Sequence, residues 1–268
     1  MIRVCWHGAA SLTLVVKEVE ILVDPYFSSK EDYGAWYTEN VNKPEWEFYL
    51  ANFAPDLVHI THGHFDHFDL EAVKRLEREK HPLFMGSAEV GATLTEVCGV
   101  PADRIHVLAP GQQISLLGLN FRAIEGVHWN TGEEGTRIAA FFKTNPAKYY
   151  GAMPCGGPML GLIIDSGEEK VYISGDTELE GIPDEKVDIA CLNIGAPVYD
   201  PKTKGEGSSV VNGQEATLAL NERLQPRVAI PLHHDFALFL REPDIQYVRD
   251  HVRARFLELV PNQWYEVG

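Results

Sequence analysis

Cysteine is scarce: Cys5, Cys98, Cys155 and Cys191 are the only four in 268 residues, and no two form a Cys-x-x-Cys pair. That spacing speaks against a disulfide framework and a thiolate zinc site, and leaves isolated reduced thiols in or near the core. There is no apolar run of about 18 residues, the length a membrane-spanning helix needs. The opening Met1-Ile2-Arg3-Val4-Cys5-Trp6-His7 is too short and too polar for a secretory signal. The expectation is a soluble cytoplasmic protein with no membrane partner. Basic residues are also few, 23 Lys and Arg against 39 Asp and Glu, for a net charge of −16. Duplex DNA and bulk RNA are bound by neutralising phosphates, so no nucleic-acid partner is expected. A small anionic substrate stays open, because bound divalent cations would dominate the local field. No repeat, low-complexity segment or linker divides the chain, which reads as one domain over 1–268.

What is present is enough for a full core: 45% hydrophobic residues, with 23 Gly and 16 Pro to turn between short elements. Arg3 to Trp6, Ser11 to Val16 and Glu20 to Val23 read as an opening β-meander, stopped by Asp24-Pro25. Leu57 to Ile60 reads as a buried strand, and Leu70 to Glu79 as a helix capped by Asp69 with Leu70, Val73 and Leu76 on one face. Leu83 to Met85 is a short strand. Ser87 caps a second helix with Val90, Leu94 and Val97 on its apolar face and Gly99 just past its end. Arg104 to Leu108, Gln113 to Leu117 and Asn120 to Glu125 begin a second run of strands. Met159 to Asp165 and Lys170 to Ile173 make a hairpin, and Val187 to Ile194 is a further strand. Asn212 and Glu215 open a helix to Leu224 as a capping box, Arg227 to Leu232 is a strand, and a last helix runs from about Pro243 to Leu257. Trp264 to Val267 reads as a closing strand. Both halves place strands first and strand–helix units after, which predicts sheets inside and helices outside.

Tyr26 to Phe53 stands apart, with nine aromatic residues, Trp36 among them, and no clean period. It reads as an excursion packed on the core or against a second copy of the chain, ahead of a pocket wall.

The chemistry concentrates in Thr61 to Asp69, where three histidines and two carboxylates share nine residues. The stretch sits between a strand and a helix, where α/β proteins place their sites. In extended chain His62 and His64 face one way and can reach one metal, while Asp66 and His67, further on, can reach a second. Other strand ends carry His128, Asp176 and His233. An all-imidazole and carboxylate set suits Zn, Mn or Fe and disfavours Ca or Mg. His59, His81, His106 and His251 are lone histidines and are given no role.

His62-x-His64-x-Asp66-His67, followed in order by His128, Ser174-Gly175-Asp176-Thr177 and Pro231-Leu232-His233, resembles the metallo-β-lactamase fold superfamily. Leu22-Val23-Asp24-Pro25 fits the same pattern. Within it the chain looks most like the branch of the L-ascorbate 6-phosphate lactonase and the N-acylphosphatidylethanolamine phospholipase D type enzymes. It departs from that branch in its first turn, His7-Gly8-Ala9-Ala10-Ser11, where Gly-His-Ser or Gly-His-Ala is common. The resemblance implies an α/β protein built as a four-layer αββα sandwich. It implies His62, His64 and His128 on one ion, Asp66, His67 and His233 on another, and Asp176 between them.

The activity so implied is a metal-dependent hydrolase with two divalent ions, Zn or Mn before Fe. Ions roughly 3.5–4 Å apart would share a bridging hydroxide, oriented by Asp66 as the catalytic carboxylate. The substrate expected is a small, anionic ester, lactone or phosphodiester. Arg137, Lys143 and Lys148 follow His128 and read as solvated charge ahead of substrate contacts, and His234 and Asp235 flank a ligand as candidate supports. The alternatives are an iron-dependent oxidoreductase of the same fold, against which His64 counts, and an RNA-processing nuclease, against which the charge counts.

Overall fold

The computed structural model describes residues 1–34, 37–128, 157–195, 210–235 and 242–267. Trp36, Arg137, Lys143, Lys148 and Cys155 lie outside these residues. Among the described residues, fourteen strands form two seven-stranded sheets. The first sheet holds β1 (Ile2–Trp6), β2 (Leu12–Val16), β3 (Val19–Val23), β4 (Leu57–His59), β5 (Leu83–Gly86) and β6 (Ile105–Val107) in that order, with β14 (Trp264–Glu266) beside β1. The second holds β7 (Gln113–Leu116), β8 (Leu119–Glu125), β9 (Leu160–Asp165), β10 (Lys170–Ile173), β11 (Ile189–Asn193), β12 (Val228–Leu232) and β13 (Arg255–Phe256), again in order.

Each sheet is antiparallel over one part and parallel over the other. The switch falls between β3 and β4 in one sheet and between β10 and β11 in the other. The inner faces of both sheets meet in one core that includes Val4, Leu14, Ile21, Phe121, Leu162 and Ile230. The outer face of the first sheet is covered by α1 (Lys30–Tyr33), α2 (Trp46–Asn52), α3 (Leu70–Lys80) and α4 (Ala88–Glu96) with their loops, and that of the second by α5 (Gly213–Leu218) and α6 (Glu242–His251). Helix, sheet, sheet, helix is the αββα sandwich the sequence implies.

Local chemistry sets the helix starts. Asp69 accepts from the Ala72 amide, Ser87 from Val90, and Asn212 with Glu215 closes a reciprocal capping box. Leu70, Val73 and Leu76 are buried on the first sheet, worth about 1.5–3 kcal/mol per side chain. Val97 differs from expectation. It is the C-terminal cap of α4 and is 36% exposed.

Two further expectations are corrected. β6 does not begin the second sheet; it pairs parallel with β5 after the α4 crossover and completes the first. The last helix stops at His251, and Arg255–Phe256 turn back to pair with Val228 and Ala229. The aromatic excursion contains two short helices, α1 and α2. Tyr26, Phe27, Tyr33, Tyr37, Tyr49 and Phe53 are buried, so it is mostly packing. Among the described residues, no helix is long and apolar enough to cross a membrane.

Candidate metal centre

Every donor in the centre comes from beyond a strand end. Thr61 to His67 follow β4, His128 follows β8, Asp176 follows β10, and His233 is the first residue after β12. Asp24 follows β3 and Asn193 ends β11. Strands β3 and β4 are parallel neighbours, as are β10, β11 and β12, so these loops emerge together at one rim of the sandwich.

Two close approaches seal the rim. Gly175 has φ +60°, and a Cβ there would lie 2.7 Å from Met159 Sδ and 3.0 Å from Thr61 Cβ. Glycine therefore lets the loop of Asp176 in the second sheet close on the histidine loop of the first. The Leu160 amide donates to the Thr61 carbonyl at 2.9 Å across the same seam.

All seven sequence-predicted residues meet there. Their donor atoms fall into three overlapping triads: His62, His64 and His128; His62, His67 and Asp176; Asp66, His67 and His233. The middle triad takes one histidine from each of the others and adds Asp176. All but His64 are buried, and His64 is half-buried.

In the first triad, His64 Nδ1 lies 2.8 Å from His62 Nε2 and 3.0 Å from His128 Nε2. Burial, then the neighbouring imidazoles, pushes His62 well below the usual histidine range, and burial with His128 pushes His64 down to about 3. His62 and His64 are thus held in the neutral form, the form that ligates a cation.

The second group is charged. His67 Nδ1 lies 2.8 Å from Asp24 Oδ2, and Thr61 Oγ1 donates to the same oxygen at 2.7 Å. With Nδ1–H given to Asp24, Nε2 carries the lone pair. That Nε2 is fully buried and makes no hydrogen bond. It faces Asp176 Oδ2 at 3.2 Å and Asp66 Oδ2 at 3.7 Å. A lone pair facing two carboxylate oxygens in a dry site is repulsive unless a proton or a metal cation lies between them. Burial opposes charging His67, but Asp176, Asp66 and Asp24 outweigh it and hold the imidazole well above its usual range. His233 Nε2, 3.2 Å from Asp66 Oδ2, is likewise raised against burial by Asp176 and Asp66. Burial acts to raise Asp66 and Asp176 too, yet the histidines hold both carboxylates down. The donor set fits divalent metal, which would replace the protons the cluster otherwise needs.

The family model described as the beta-lactamase superfamily domain matches residues 3–233. The chain belongs to the beta-lactamase superfamily. A UPF0173 metal-dependent hydrolase of Staphylococcus aureus is 24% identical over 263 residues, 96% of each chain. The isothiocyanate hydrolase from Delia radicum gut bacteria has a TM-score of 0.69 at 21% identity, over 99% of this chain and 98% of that one. CmlA, a diiron β-hydroxylase from Streptomyces venezuelae, has a TM-score of 0.62 at 16% identity, over 99% of this chain and 54% of that one. At these identities the two structures share the fold of this superfamily member, and the fold alone.

Two residues that support this cluster carry no role in the sequence reading: Asp24, which enters it only within Leu22-Val23-Asp24-Pro25, and Asn193. Asp24 orients His67, and Asn193 Nδ2 donates to Asp176 Oδ1 at 2.8 Å. Both stand at strand ends, the one available signal. His7 does not reach the site. Its Nε2 meets Thr13 Oγ1 at 2.8 Å, its Nδ1 meets Asn262 Oδ1 at 2.9 Å, and its ring packs edge-on against Phe27, Tyr49 and Phe53. His234 stacks on Trp6, with centroids 5.2 Å apart, and Asp235 accepts from the Ala9 amide. His59, given no role, is buried between the sheets with Nε2 3.1 Å from the Leu160 carbonyl.

Proposed function

We propose that this superfamily member is a metal-dependent hydrolase that uses two divalent ions to cleave a small, anionic ester, lactone or phosphodiester. The observation that carries the reading is the overlap of three donor triads through His62 and His67, with Asp176 in the middle one and His67 Nε2 facing two carboxylates with no hydrogen-bond partner. His62, His64 and His128 would hold one ion. Asp66, His67 and His233 would hold the other, and Asp176 would touch both. Zn or Mn suits these donors. Ions so held supply hydroxide near neutral pH and polarise the scissile oxygen.

The chain's own residues do the rest. Asp24 fixes the His67 ring through Nδ1, and Asn193 fixes Asp176 through Oδ1. Asp66, whose Oδ2 faces His233 and His67, would orient the attacking hydroxide and accept and return its proton during turnover. The net charge of −16 disfavours polyanions, so small substrates are favoured over nucleic acid. The lactone and phosphodiester classes follow from the resemblance to the L-ascorbate 6-phosphate lactonase branch.

Metal analysis joined to a hydrolysis screen over lactones, phosphodiesters and acyl amides tests the reading. Two equivalents of Zn or Mn and turnover of one class are expected, with both reduced in Asp66→Asn and His128→Ala. Unchanged metal content and turnover in either variant overturns it, as does iron-rich protein that consumes oxygen and hydrolyses nothing.

A further inference from the structure

His233 is held in an unusual backbone state by residues outside the three donor triads. Its φ is +66°, the left-handed region that disfavours a residue with a side chain. Strand pairing does not impose this, because β12 ends at Leu232. The His233 amide instead donates to the Ala9 carbonyl at 2.9 Å, which also accepts from the Trp6 indole at 2.8 Å. The Ala9 amide donates to Asp235 Oδ1 at 2.9 Å, and Asn42 Nδ2 donates to Asp235 Oδ2 at 2.6 Å. One carboxylate thus ties the first turn, the loop at 40–42 and the turn of His233.

The sequence makes room for this knot. Gly8 has φ +85°, and a Cβ there would lie 2.2 Å from Asn40 Oδ1 and 2.7 Å from Asn42 Cβ. Asn40 is pinned by Nδ2 to the His7 and Tyr26 carbonyls, and its Oδ1 accepts from the Asn42 amide. The Asn42 carbonyl accepts from Asn262 Nδ2 at 3.0 Å. Asn42 is therefore fixed from both sides before it reaches Asp235.

We propose that Asp235 and Asn42 are positioning residues that lock the His233 turn so that its Nε2 faces Asp66, an inference that rests on the two-metal reading above. The carboxylate is needed at 235 because two N–H donors converge on its two oxygens. Asn42→Asp sets two carboxylates against each other, which breaks half the clamp, since neither can donate. Exchanging the two groups restores it: in the double variant Asn42→Asp, Asp235→Asn, the new amide donates to the new carboxylate and still accepts from Ala9.

The test is a Co2+ titration of the full-length, metal-free protein, read by its visible spectrum, beside the melting temperature of the same metal-free samples. Wild type takes up two equivalents. Asn42→Asp keeps the first and binds the second 10–100-fold more weakly, the range for loss of a support behind a metal ligand. The metal-free melting temperature changes little, and the double variant recovers both affinity and spectrum. Wild-type affinity for both equivalents in Asn42→Asp overturns the inference. So does a loss of affinity matched by a loss of metal-free stability that the exchange does not repair. A wild-type protein that takes up no metal overturns the two-metal reading itself.

Discussion

Asp24 Oδ2 and His67 Nδ1 are 2.8 Å apart at the ends of two adjacent parallel strands. The same carboxylate accepts the Thr61 amide at 2.8 Å and the Thr61 hydroxyl at 2.7 Å. It therefore fixes both the ring that faces the acidic side of the cluster and the residue that starts the histidine loop. Asp24→Ala leaves three buried donors without this partner. The expected outcome is a 10–100-fold loss of metal affinity, measured by competition with a chelator, and about 1–3 kcal/mol of stability per unpaired donor. A variant that holds metal as tightly as wild type would remove Asp24 from the site.

Much of this was legible because it is local. His62, His64, Asp66 and His67 share one loop, and Asp69 caps the helix behind them within three residues. Strand and helix periods located nearly every element. What was hidden depends on distant pairing. Asp24 reaches His67 only once β3 lies beside β4. Asp235 meets Ala9 across 226 positions and His7 meets Asn262 across 255. The stop of α6 at His251 has no glycine or proline to announce it, since the run from Val252 to Val260 lacks both. It is set by Arg255 and Phe256 pairing with β12.

Asp69 does more than cap α3. It is buried and accepts from the Phe27 amide, the Ser28 amide and hydroxyl, the Tyr33 and Tyr37 hydroxyls and the Ala72 amide, at 2.7–3.2 Å. It joins the aromatic excursion to the helix that follows the histidine loop. Tyr26 and Tyr37 in turn pack on Phe65, between His64 and Asp66, with ring centroids 6.0 and 5.7 Å away. Asp69→Ala strips one acceptor from six donors, and about 3–5 kcal/mol of stability is expected to go with it in urea unfolding. Asp69→Asn keeps one oxygen and should fall between. A loss below about 1 kcal/mol for the alanine variant would show that water replaces the carboxylate.

His7 makes an acid-sensitive core. Burial pushes its imidazole from 6.5 down to about 4, partly opposed by the Asn262 hydrogen bond. The folded form stays neutral where the unfolded form protonates. The unfolded state therefore binds more protons between pH 6.5 and 4, and stability falls as pH drops through that window. The gap is worth up to about 3 kcal/mol. Urea unfolding of metal-free protein at pH 7 and 4.5 should show His7→Gln losing less stability on acidification than wild type. Parallel losses in the two proteins would place the sensitivity elsewhere.

Gly175 offers a test of how tightly the two sheets hold the centre. The residue precedes Asp176, and its φ of +60° already disfavours a side chain. Alanine there adds a Cβ 2.7 Å from Met159 Sδ and 3.0 Å from Thr61 Cβ. Met159 is flexible and can swing aside. Thr61 cannot, because its amide and hydroxyl are both bound to Asp24. The loop of Asp176 must therefore back away from the histidine loop, drawing Asp176 Oδ2 from its 3.2 Å approach to His67 Nε2. Gly175→Ala is expected to lose about 1–3 kcal/mol as metal-free protein, from left-handed strain and overpacking. Its rise in melting temperature on adding Zn2+ should also shrink, since ligand stabilisation scales with the logarithm of affinity. A variant destabilised without metal but with an unchanged Zn2+ increment would mean that Asp176 keeps its place and Thr61 yields instead.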